Sequence, residues 1–194
     1  MVGDPYEFSN DPACYPGTSI LRNIPDLQTT EELEKFEIEM VALRVEEDPP
    51  MGDISPAYYR KIHGHLFQDV YTWAGSYRTI RTGKGGNWFA YPEYIEPEMD
   101  KLFQRLATSP FQPGSDQAQF IPAIADFIGD LNAIHPFREG NGRTQLIFVR
   151  LLGQSAGHLF RLEAIEAAEF LSAMVASFHG RMDALIDELE RILA

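Results

Sequence analysis

The segment HPFREGNGRTQLIF, residues 135–148, places a histidine, an acid, two glycines and two arginines directly before an apolar run. A histidine such as His135 titrates near neutral pH and can take a proton from a hydroxyl group. The carboxylate of Glu139 would repel a bare phosphate but suits one that carries Mg²⁺, a cation that prefers carboxylate and phosphate oxygens. These residue types predict a general base beside a metal–phosphate site.

The glycines of this segment indicate where the phosphate would bind. The stretch Gly140–Asn141–Gly142 permits positive φ angles and a close approach of the backbone to a ligand. We predict a buried central helix over Arg143–Ala156 with Gly157 as its C-cap, and the first N–H groups of a helix favour an anion. Arg143 opposes the helix dipole, an effect that a bound anion would offset.

Each of these residues also has a purely structural interpretation. His135 could cap the C-terminus of the preceding helix, Glu139 could be a solvated loop acid, and the glycines could be turn residues. We expect Phe137 to anchor the loop in the core. The joint occurrence of these residues within nine positions favours the chemical interpretation.

The composition indicates one globular domain. The chain has 194 residues, 44% of them hydrophobic and 23% charged, which is enough to bury a core. The formal net charge of −13 repels nucleic acid backbones, so we expect no nucleic-acid partner. Two basic clusters, Arg78–Lys84 and Arg138–Arg143, lie beside glycines and favour a local anion site.

The sequence also favours a cytoplasmic location. No apolar run approaches the roughly 18 to 20 residues of a membrane span, so no membrane association is expected. The acidic, polar start MVGDPYEFSND lacks the apolar core of a secretory signal. Cys14 is the one cysteine, which excludes an internal disulfide and agrees with a reducing compartment.

Helical spacing dominates the elements that must position these residues. Residues 1–28 predict an irregular arm, and Thr30 and the pair Ser55–Pro56 predict helix starts. Further helices are predicted over residues 95–108, 117–134, 143–156, 166–178 and 181–193. The predicted fold is mainly α, with a body over residues 29–180 and a C-terminal helix over residues 181–194.

One segment has the character of a β-hairpin. Residues 77–81 alternate as a strand does, residues 83–87 predict a glycine-rich turn, and residues 88–91 resume extended character. We therefore predict a hairpin over Tyr77–Tyr91. Because a lone two-stranded ribbon is marginal in water, it must pack on the helical body or serve as a docking edge.

The segment around His135 resembles the signature of Fic-domain proteins, H-x-F-x-[DE]-G-N-G-R-x-x-R. It matches at His135, Phe137, Glu139 and the stretch Gly140–Arg143. The stretch TWAGSYRTIRTGKGGNWFAYPEYI resembles the flap hairpin of that family, and YPGTSILRN resembles the N-terminal part of short Fic toxins. The resemblance covers most of the chain, from about Tyr15 to His179, and implies a Fic-fold helical bundle with one flap.

This resemblance implies transfer of AMP from Mg-ATP to a Ser, Thr or Tyr hydroxyl of a target protein. By position in the signature, His135 would deprotonate the hydroxyl and Glu139 would hold Mg²⁺. The backbone of Gly140, Asn141 and Gly142, with the Asn141 side chain, would hold the phosphates, and Arg143 would neutralise their charge. The flap would clamp an extended segment of the target by main-chain pairing. Its docking residues would be Ile80, Arg81, Thr82, Gly83, Lys84, Gly85 and Gly86.

Leu146 departs from the signature, where the family has a second arginine. That arginine contacts the γ-phosphate region and pairs with an inhibitory glutamate in an S/T-x-x-x-E-G/N pattern. Leu146 can do neither, and Arg150 is a candidate substitute at the γ-phosphate. The stretch Thr30–Glu34 fits the inhibitory pattern except that Lys35 follows, so we interpret it as an ordinary capped helix. Short Fic toxins without that pattern are held by a separate small antitoxin, which the resemblance implies as a partner.

Three functions remain open from the sequence. The first is an AMP-transferring toxin of a toxin–antitoxin pair. The second is a transferase that uses another nucleotide donor or transfers a phosphoryl group, because Leu146 alters the phosphate site. The third is a catalytically weak binding or scaffold protein, against which the presence of both His135 and Glu139 argues.

Overall fold

The computed structural model describes residues 11–107 and 110–194, which form a mainly α fold with one small hairpin. The first ten residues of the predicted arm and Thr108 lie outside the described residues. The helices are α1 (Thr30–Val45), α2 (Pro56–Phe67), α3 (Pro92–Gln104), α4 (Gln117–Ile134), α5 (Asn141–Ala156), α6 (Ala167–Phe178) and α7 (Asp183–Ile192). Short 3₁₀ helices cover Arg105–Ala107 and Leu162–Ala164. Within the described residues, no helix is long and apolar enough to cross a membrane.

Local capping chemistry sets several helix ends. Ser55 accepts a hydrogen bond from the backbone N–H of Tyr58 and precedes Pro56, as the sequence predicts for α2. Gly157 ends α5 with a left-handed φ of 93°. At α1 the prediction of Thr30 as the N-cap was wrong by one residue. Thr29 is the cap, because its Oγ1 accepts from the N–H of Glu32, and Thr30 is already helical.

The helix with the most helical neighbours is α4, whereas the sequence predicted α5 as the central buried helix. Helix α4 packs against α3, α5, α6 and α7, although α4 and α5 each bury nine residues. Helix α5 packs on α2 and α4 through one face, so Leu146 and Leu151 on its other side are only half-buried. The predicted C-terminal helix, α7, packs on α4 and α6 and buries Leu185, Leu189 and Ile192 in the same core.

The hairpin has a shorter ladder than predicted. Strand β1 (Gly83–Lys84) pairs antiparallel with β2 (Asn87–Trp88), in a register that places Gly83 opposite Trp88. Beyond the ladder, the N–H of Phe89 still donates to Thr82 O at 3.0 Å, but residues 79 and 80 form a bend. The N–H of Arg78 donates to Pro136 O at 2.9 Å, and the N–H of Ala90 donates to Ala133 O at 3.2 Å. Residues 77–81 therefore attach to the helical body and do not pair as a strand.

Candidate active site

A pocket of about 610 Å³ opens between the flap tip, the loop before α5 and the side of α6. The loop, residues 135–140, leads from the C-terminus of α4 into the N-terminus of α5. The predicted residues that line the pocket are His135, Glu139, Gly140, Asn141, Gly142, Arg143, Lys84 and Gly85, together with Leu146. Ile80, Arg81, Thr82, Gly83, Gly86 and Phe137 are not among its lining residues.

The side chain of Asn141 is occupied inside the loop. Its Oδ1 accepts from the N–H of Phe137 at 2.9 Å, and its Nδ2 donates to the carbonyl oxygen of Phe137 at 2.8 Å. The side chain thus uses one of the two N–H donors of its amide within the loop, and its contact with phosphates stays a prediction. Asn141 closes the loop on itself, which leaves its backbone N–H in the first turn of α5 for a ligand.

Gly140 and Gly142 differ in the space that surrounds them. Gly140 has a φ of 79°, and a Cβ at this position would lie 2.2 Å from the ring of Phe67, so no side chain fits there. Gly142 lies in the first turn of α5, and a Cβ there would meet nothing within 4 Å. Its open space faces the pocket, and a phosphate group could approach the backbone there.

His135 lies at the C-cap position of α4 in the left-handed conformation, with a φ of 49°. Its imidazole stacks on Phe89 with the ring centroids 3.7 Å apart and the planes 3° from parallel. Neither ring nitrogen has a hydrogen-bond partner among the described residues. Burial, with the positive charges of Arg78 and Lys84, lowers the pKa of His135 to about 3, so the ring is neutral at physiological pH.

A second histidine, the buried His63 of α2, holds the loop through a hydrogen bond and a ring stack. Its Nδ1 accepts from the N–H of Gly75 at 2.8 Å, so its Nε2 carries the proton and donates to the carbonyl oxygen of Glu139 at 3.0 Å. The ring stacks on Phe137 at 3.8 Å, and Phe137 is fully buried. Burial lowers the pKa of His63 to about 4, which keeps it neutral. No sequence motif indicated a role for His63, because its contact with Glu139 spans 76 positions.

Arg78 joins the flap to the loop. Its guanidinium donates to four backbone carbonyls, those of Ile80, Ala90, Ile134 and His135, at 2.6 to 3.1 Å. Burial lowers its pKa to about 10. The assignment of the cluster Arg78–Lys84 to an anion site is therefore wrong for Arg78, whose charge is used within the protein.

The other predicted cations divide between the pocket and the protein body. Arg138 is buried and pairs with Asp11 at 2.5 Å, away from the pocket. Arg81 lies over the ring of Tyr91 at 3.8 Å and donates to its hydroxyl at 2.7 Å. Within residues 11–107 and 110–194, the cations that line the pocket are Lys84 and Arg143. Each of the two predicted basic clusters therefore contributes one cation to the pocket, Lys84 from the first and Arg143 from the second.

Arg143 points its Nη2 at two carboxylates. This nitrogen lies 2.6 Å from Oε1 of Glu37 on α1 and 3.4 Å from Oε1 of Glu139. The guanidinium also lies over the ring of Phe67, 4.8 Å from its centroid. Glu37 is buried, with 8% of its surface exposed, and burial raises its pKa while Arg143 acts in the opposite direction. No sequence motif predicted Glu37, which is 106 positions from its partner.

The carboxylate of Glu139 fits a magnesium ion that also binds phosphate oxygens. Its Oε1 accepts from the N–H of Gly140 at 2.8 Å, which fixes the carboxylate at the loop. Among the described residues, no group of three or more acidic, histidine or cysteine side chains could hold a metal by itself. Mg²⁺ commonly binds through one or two carboxylates plus the phosphates of a substrate, so a single acid beside an anion site suffices.

The wall of the pocket opposite the loop is apolar. It consists of Leu146 on α5 and Phe170, Leu171, Met174, Val175 and Phe178 on α6. The final position of the signature thus contributes hydrophobic surface to the pocket. Arg150, the predicted substitute for the missing arginine, is not among the lining residues. The pocket therefore has a polar side at the loop and a hydrophobic side at α6.

The predicted docking residues of the flap differ in exposure. Thr82 and Gly83 are buried, whereas Lys84, Gly85 and Gly86 are exposed at the tip. A Cβ at Gly83 would lie 2.8 Å from the carbonyl oxygen of Asn87, so the ladder requires glycine there. The tip thus presents its backbone and one lysine beside the pocket.

The helical body, the flap and the glycine-rich loop define a mainly α protein whose pocket joins a histidine to a glycine-rich helix N-terminus. The Fic/DOC family model matches residues 53–152, from the start of α2 to near the end of α5. The chain therefore belongs to the Fic/DOC family.

Relatives and solved structures cover nearly the whole chain. The chain is 46% identical to y4lH of Sinorhizobium fredii, a probable protein adenylyltransferase, over 97% of this chain and 98% of that protein. Its fold matches a Fic domain from Bartonella quintana solved with bound ADP, at a TM-score of 0.83, 28% identity and 94% coverage of each chain. It also matches BepC from Bartonella tribocorum with bound AMPPNP, at a TM-score of 0.85, 27% identity and coverage of 94% and 96%.

Proposed function

We propose that the protein is an adenylyltransferase that moves AMP from Mg-ATP to a Ser, Thr or Tyr hydroxyl of a target protein. The observation that carries this proposal is His135, whose unpartnered ring nitrogens share one pocket with the stretch Gly140–Arg143. The similarity to y4lH and to structures holding ADP and AMPPNP supports a nucleotide substrate and this reaction.

In this reaction the target hydroxyl oxygen attacks the α-phosphorus of ATP. The bond from the α-phosphorus to the bridging oxygen breaks, pyrophosphate leaves, and His135 takes the proton of the hydroxyl. The neutral state of His135 suits this role, because only a neutral imidazole can accept a proton. A pKa of about 3 makes the ring a weak base, and the negative charge of bound phosphates would raise it toward the working range.

The loop would bind the phosphates through the backbone of Gly140, Asn141 and Gly142 and through the guanidinium of Arg143. Mg²⁺ bound by Glu139 would neutralise phosphate charge as pyrophosphate departs. The apolar residues of α6 would accept the flat purine base, because aromatic rings bury well against such surfaces. Phe137 would hold the loop in this shape through its buried stack with His63.

The flap would hold an extended segment of the target beside His135. The exposed backbone of Lys84, Gly85 and Gly86 offers a short edge for main-chain pairing, which is a recurring mode of peptide recognition. Ile80, Arg81, Thr82 and Gly83 would support that edge rather than contact the target directly. The enzyme would work in the cytoplasm, as the single buried cysteine suggests.

We further propose a separate small antitoxin as a partner, as part of a toxin–antitoxin pair. In the part of the chain that the structure describes, Glu139 is the one acid that lines the pocket, and Leu146 offers no arginine to an inhibitory glutamate. Co-purification of the neighbouring product of the native operon tests this. A chain that is active, monomeric and harmless when expressed alone would exclude the antitoxin.

The test of AMP transfer uses ATP labelled at the α- or the γ-phosphate with cell lysate and Mg²⁺. We expect label on a protein band from the α-label only, and none with His135→Ala. The matched control is His179→Ala, because His179 is exposed and lies outside the pocket. Label from the γ-phosphate would establish phosphoryl transfer instead, the alternative that Leu146 favours. No label from wild type in either form, with the antitoxin absent, would identify a binding or scaffold protein.

A further inference from the structure

Glu37 of α1 is a buried carboxylate that lies behind the pocket and does not line it. Its Oε1 binds Nη2 of Arg143 at 2.6 Å, and the hydroxyl of Tyr71 also interacts with the carboxylate. A buried carboxylate costs free energy even when it is paired, and an apolar side chain of similar volume would avoid that cost. Its presence next to a pocket cation therefore calls for a role in binding.

The geometry of Arg143 suggests that role. Its Nη2 is shared unequally between two acids, at 2.6 Å from Glu37 and 3.4 Å from Glu139. Glu139 lies four residues before Arg143 on the adjoining loop, within easy reach of the same guanidinium. Without Glu37, this guanidinium would have Glu139 as its one carboxylate partner. Phe67 under the guanidinium restricts it further to this position.

We propose that Glu37 is a positioning residue that holds Arg143 away from Glu139 and so keeps the Glu139 carboxylate available to a divalent cation. The inference rests on the proposed function, since it assigns Glu139 to the cation and Arg143 to the phosphates. The guanidinium has five N–H groups, and the carboxylate contacts described here use Nη2. Arg143 can therefore keep its bond to Glu37 and still present other donors to a phosphate.

If Glu37 has this role, its substitution should change ADP binding in the presence of Mg²⁺ but not weaken ADP binding in the absence of Mg²⁺. Glu37→Gln keeps the shape of the side chain and removes its charge. In this variant Arg143 pairs closely with Glu139, which weakens the binding of Mg²⁺ by Glu139. The Mg²⁺ concentration needed for half of the metal-dependent ADP binding therefore rises about tenfold, a typical effect of changing a residue that supports a metal ligand. ADP binding without metal stays equal or tightens, because one negative charge has left the surroundings of the phosphates.

Calorimetric titration with ADP, with and without Mg²⁺, measures both quantities. The matched control is Glu39→Gln, which makes the same charge change at an exposed position of α1 and should leave both quantities unchanged. Glu37→Met is the second variant, since it removes the charge and both carboxyl oxygens together and serves if the glutamine variant folds poorly. Thermal melting of each variant confirms that it is folded.

An unchanged Mg²⁺ requirement in the folded Glu37 variants would overturn the inference. So would an equal loss of ADP binding with and without Mg²⁺, because that result would assign Glu37 a structural role only. The readout is binding rather than AMP transfer, so a protein that binds Mg-ADP but transfers no AMP would defeat the proposed function alone. A wild-type protein whose ADP binding ignores Mg²⁺ would overturn the inference by itself.

Discussion

The imidazole of His135 lies flat on the phenyl ring of Phe89, with the ring centroids 3.7 Å apart. Phe89 directly follows β2, so the flap covers one face of the proposed general base. This contact joins the part of the protein that would hold the target to the side chain that would take its proton. It also contributes to the burial that lowers the pKa of His135.

Phe89→Leu should raise the pKa of His135 and slow AMP transfer. The smaller side chain exposes the imidazole to water, which favours its charged form, and it no longer fixes the orientation of the ring. We expect the pKa to rise toward 6.5, the ordinary value for histidine, and the transfer rate to fall by about tenfold. An NMR titration of His135 and a rate assay measure these effects. Phe111→Leu is the control, and an unchanged pKa would contradict the prediction.

Acid should destabilise the fold through two histidines. The pKa values of His63 and His135 are lowered to about 4 and about 3 from 6.5. Between those values and 6.5 the unfolded chain binds more protons than the folded one, so stability is lost as the pH falls below about 6.5. Each histidine should contribute roughly 2 kcal/mol of lost unfolding free energy at about pH 5 relative to about pH 8.

Urea unfolding at the two pH values measures this loss. A variant with His135→Asn should lose about half of the pH dependence, because one of the two titrating groups is gone. Wild-type stability that is flat across this range would show that the two rings are more exposed in solution than the structure indicates.

The loop glycines should respond in opposite ways to alanine. Gly140→Ala forces a Cβ to within 2.2 Å of Phe67 at a positive φ, and we expect a loss of roughly 3 kcal/mol in unfolding free energy. Gly142→Ala has free space in a helical turn and should be neutral or stabilising by about 0.5 kcal/mol. Its methyl group enters the phosphate side of the pocket, so ADP binding should weaken. Urea unfolding and calorimetry separate the two effects, and a Gly142→Ala variant with unchanged ADP affinity would place the phosphates elsewhere.

Leu146→Arg should make the pocket distinguish ATP from ADP. The change places a cation where the pocket wall is now apolar, beside the position that a third phosphate would take in the proposed pose. A charge-assisted hydrogen bond of this kind is worth about 1.5 kcal/mol, which corresponds to a preference of about tenfold for ATP. The ratio of the two dissociation constants is the measurement, with Leu146→Met as the control. Equal gains for ATP and ADP would mean that the new cation contacts the inner phosphates.

Features with local causes could be predicted from the sequence. The start of α2 at Ser55–Pro56 and the end of α5 at Gly157 follow from residues that cap their own helices. The loop from His135 to Arg143 was predicted as a unit because its glycines, base and acid are consecutive, and the pocket brings them together. The predicted length of the hairpin was wrong, since the chain bends at residues 79 and 80 and the ladder begins at Gly83.

Residues that act from a distance could not be predicted. His63, Arg78 and Glu37 reach the loop across 76, 57 and 106 positions. Their roles depend on burial and on which backbone groups lie nearby, and neither quantity is written in local spacing. The same reason applies to the side chain of Asn141, because its bonds to Phe137 depend on how tightly the loop folds.

The anchoring of the flap by Arg78 bears on how new target preferences can be engineered or can evolve. The four groups that Arg78 binds are main-chain carbonyls, which every amino acid supplies. The exposed tip, Lys84 to Gly86, can therefore change without loosening the attachment, whereas the ladder requires Gly83 and the stack on His135 requires Phe89. A flap segment taken from a relative should attach correctly if it contains the equivalent of Arg78. Target specificity can then be changed without altering the catalytic loop.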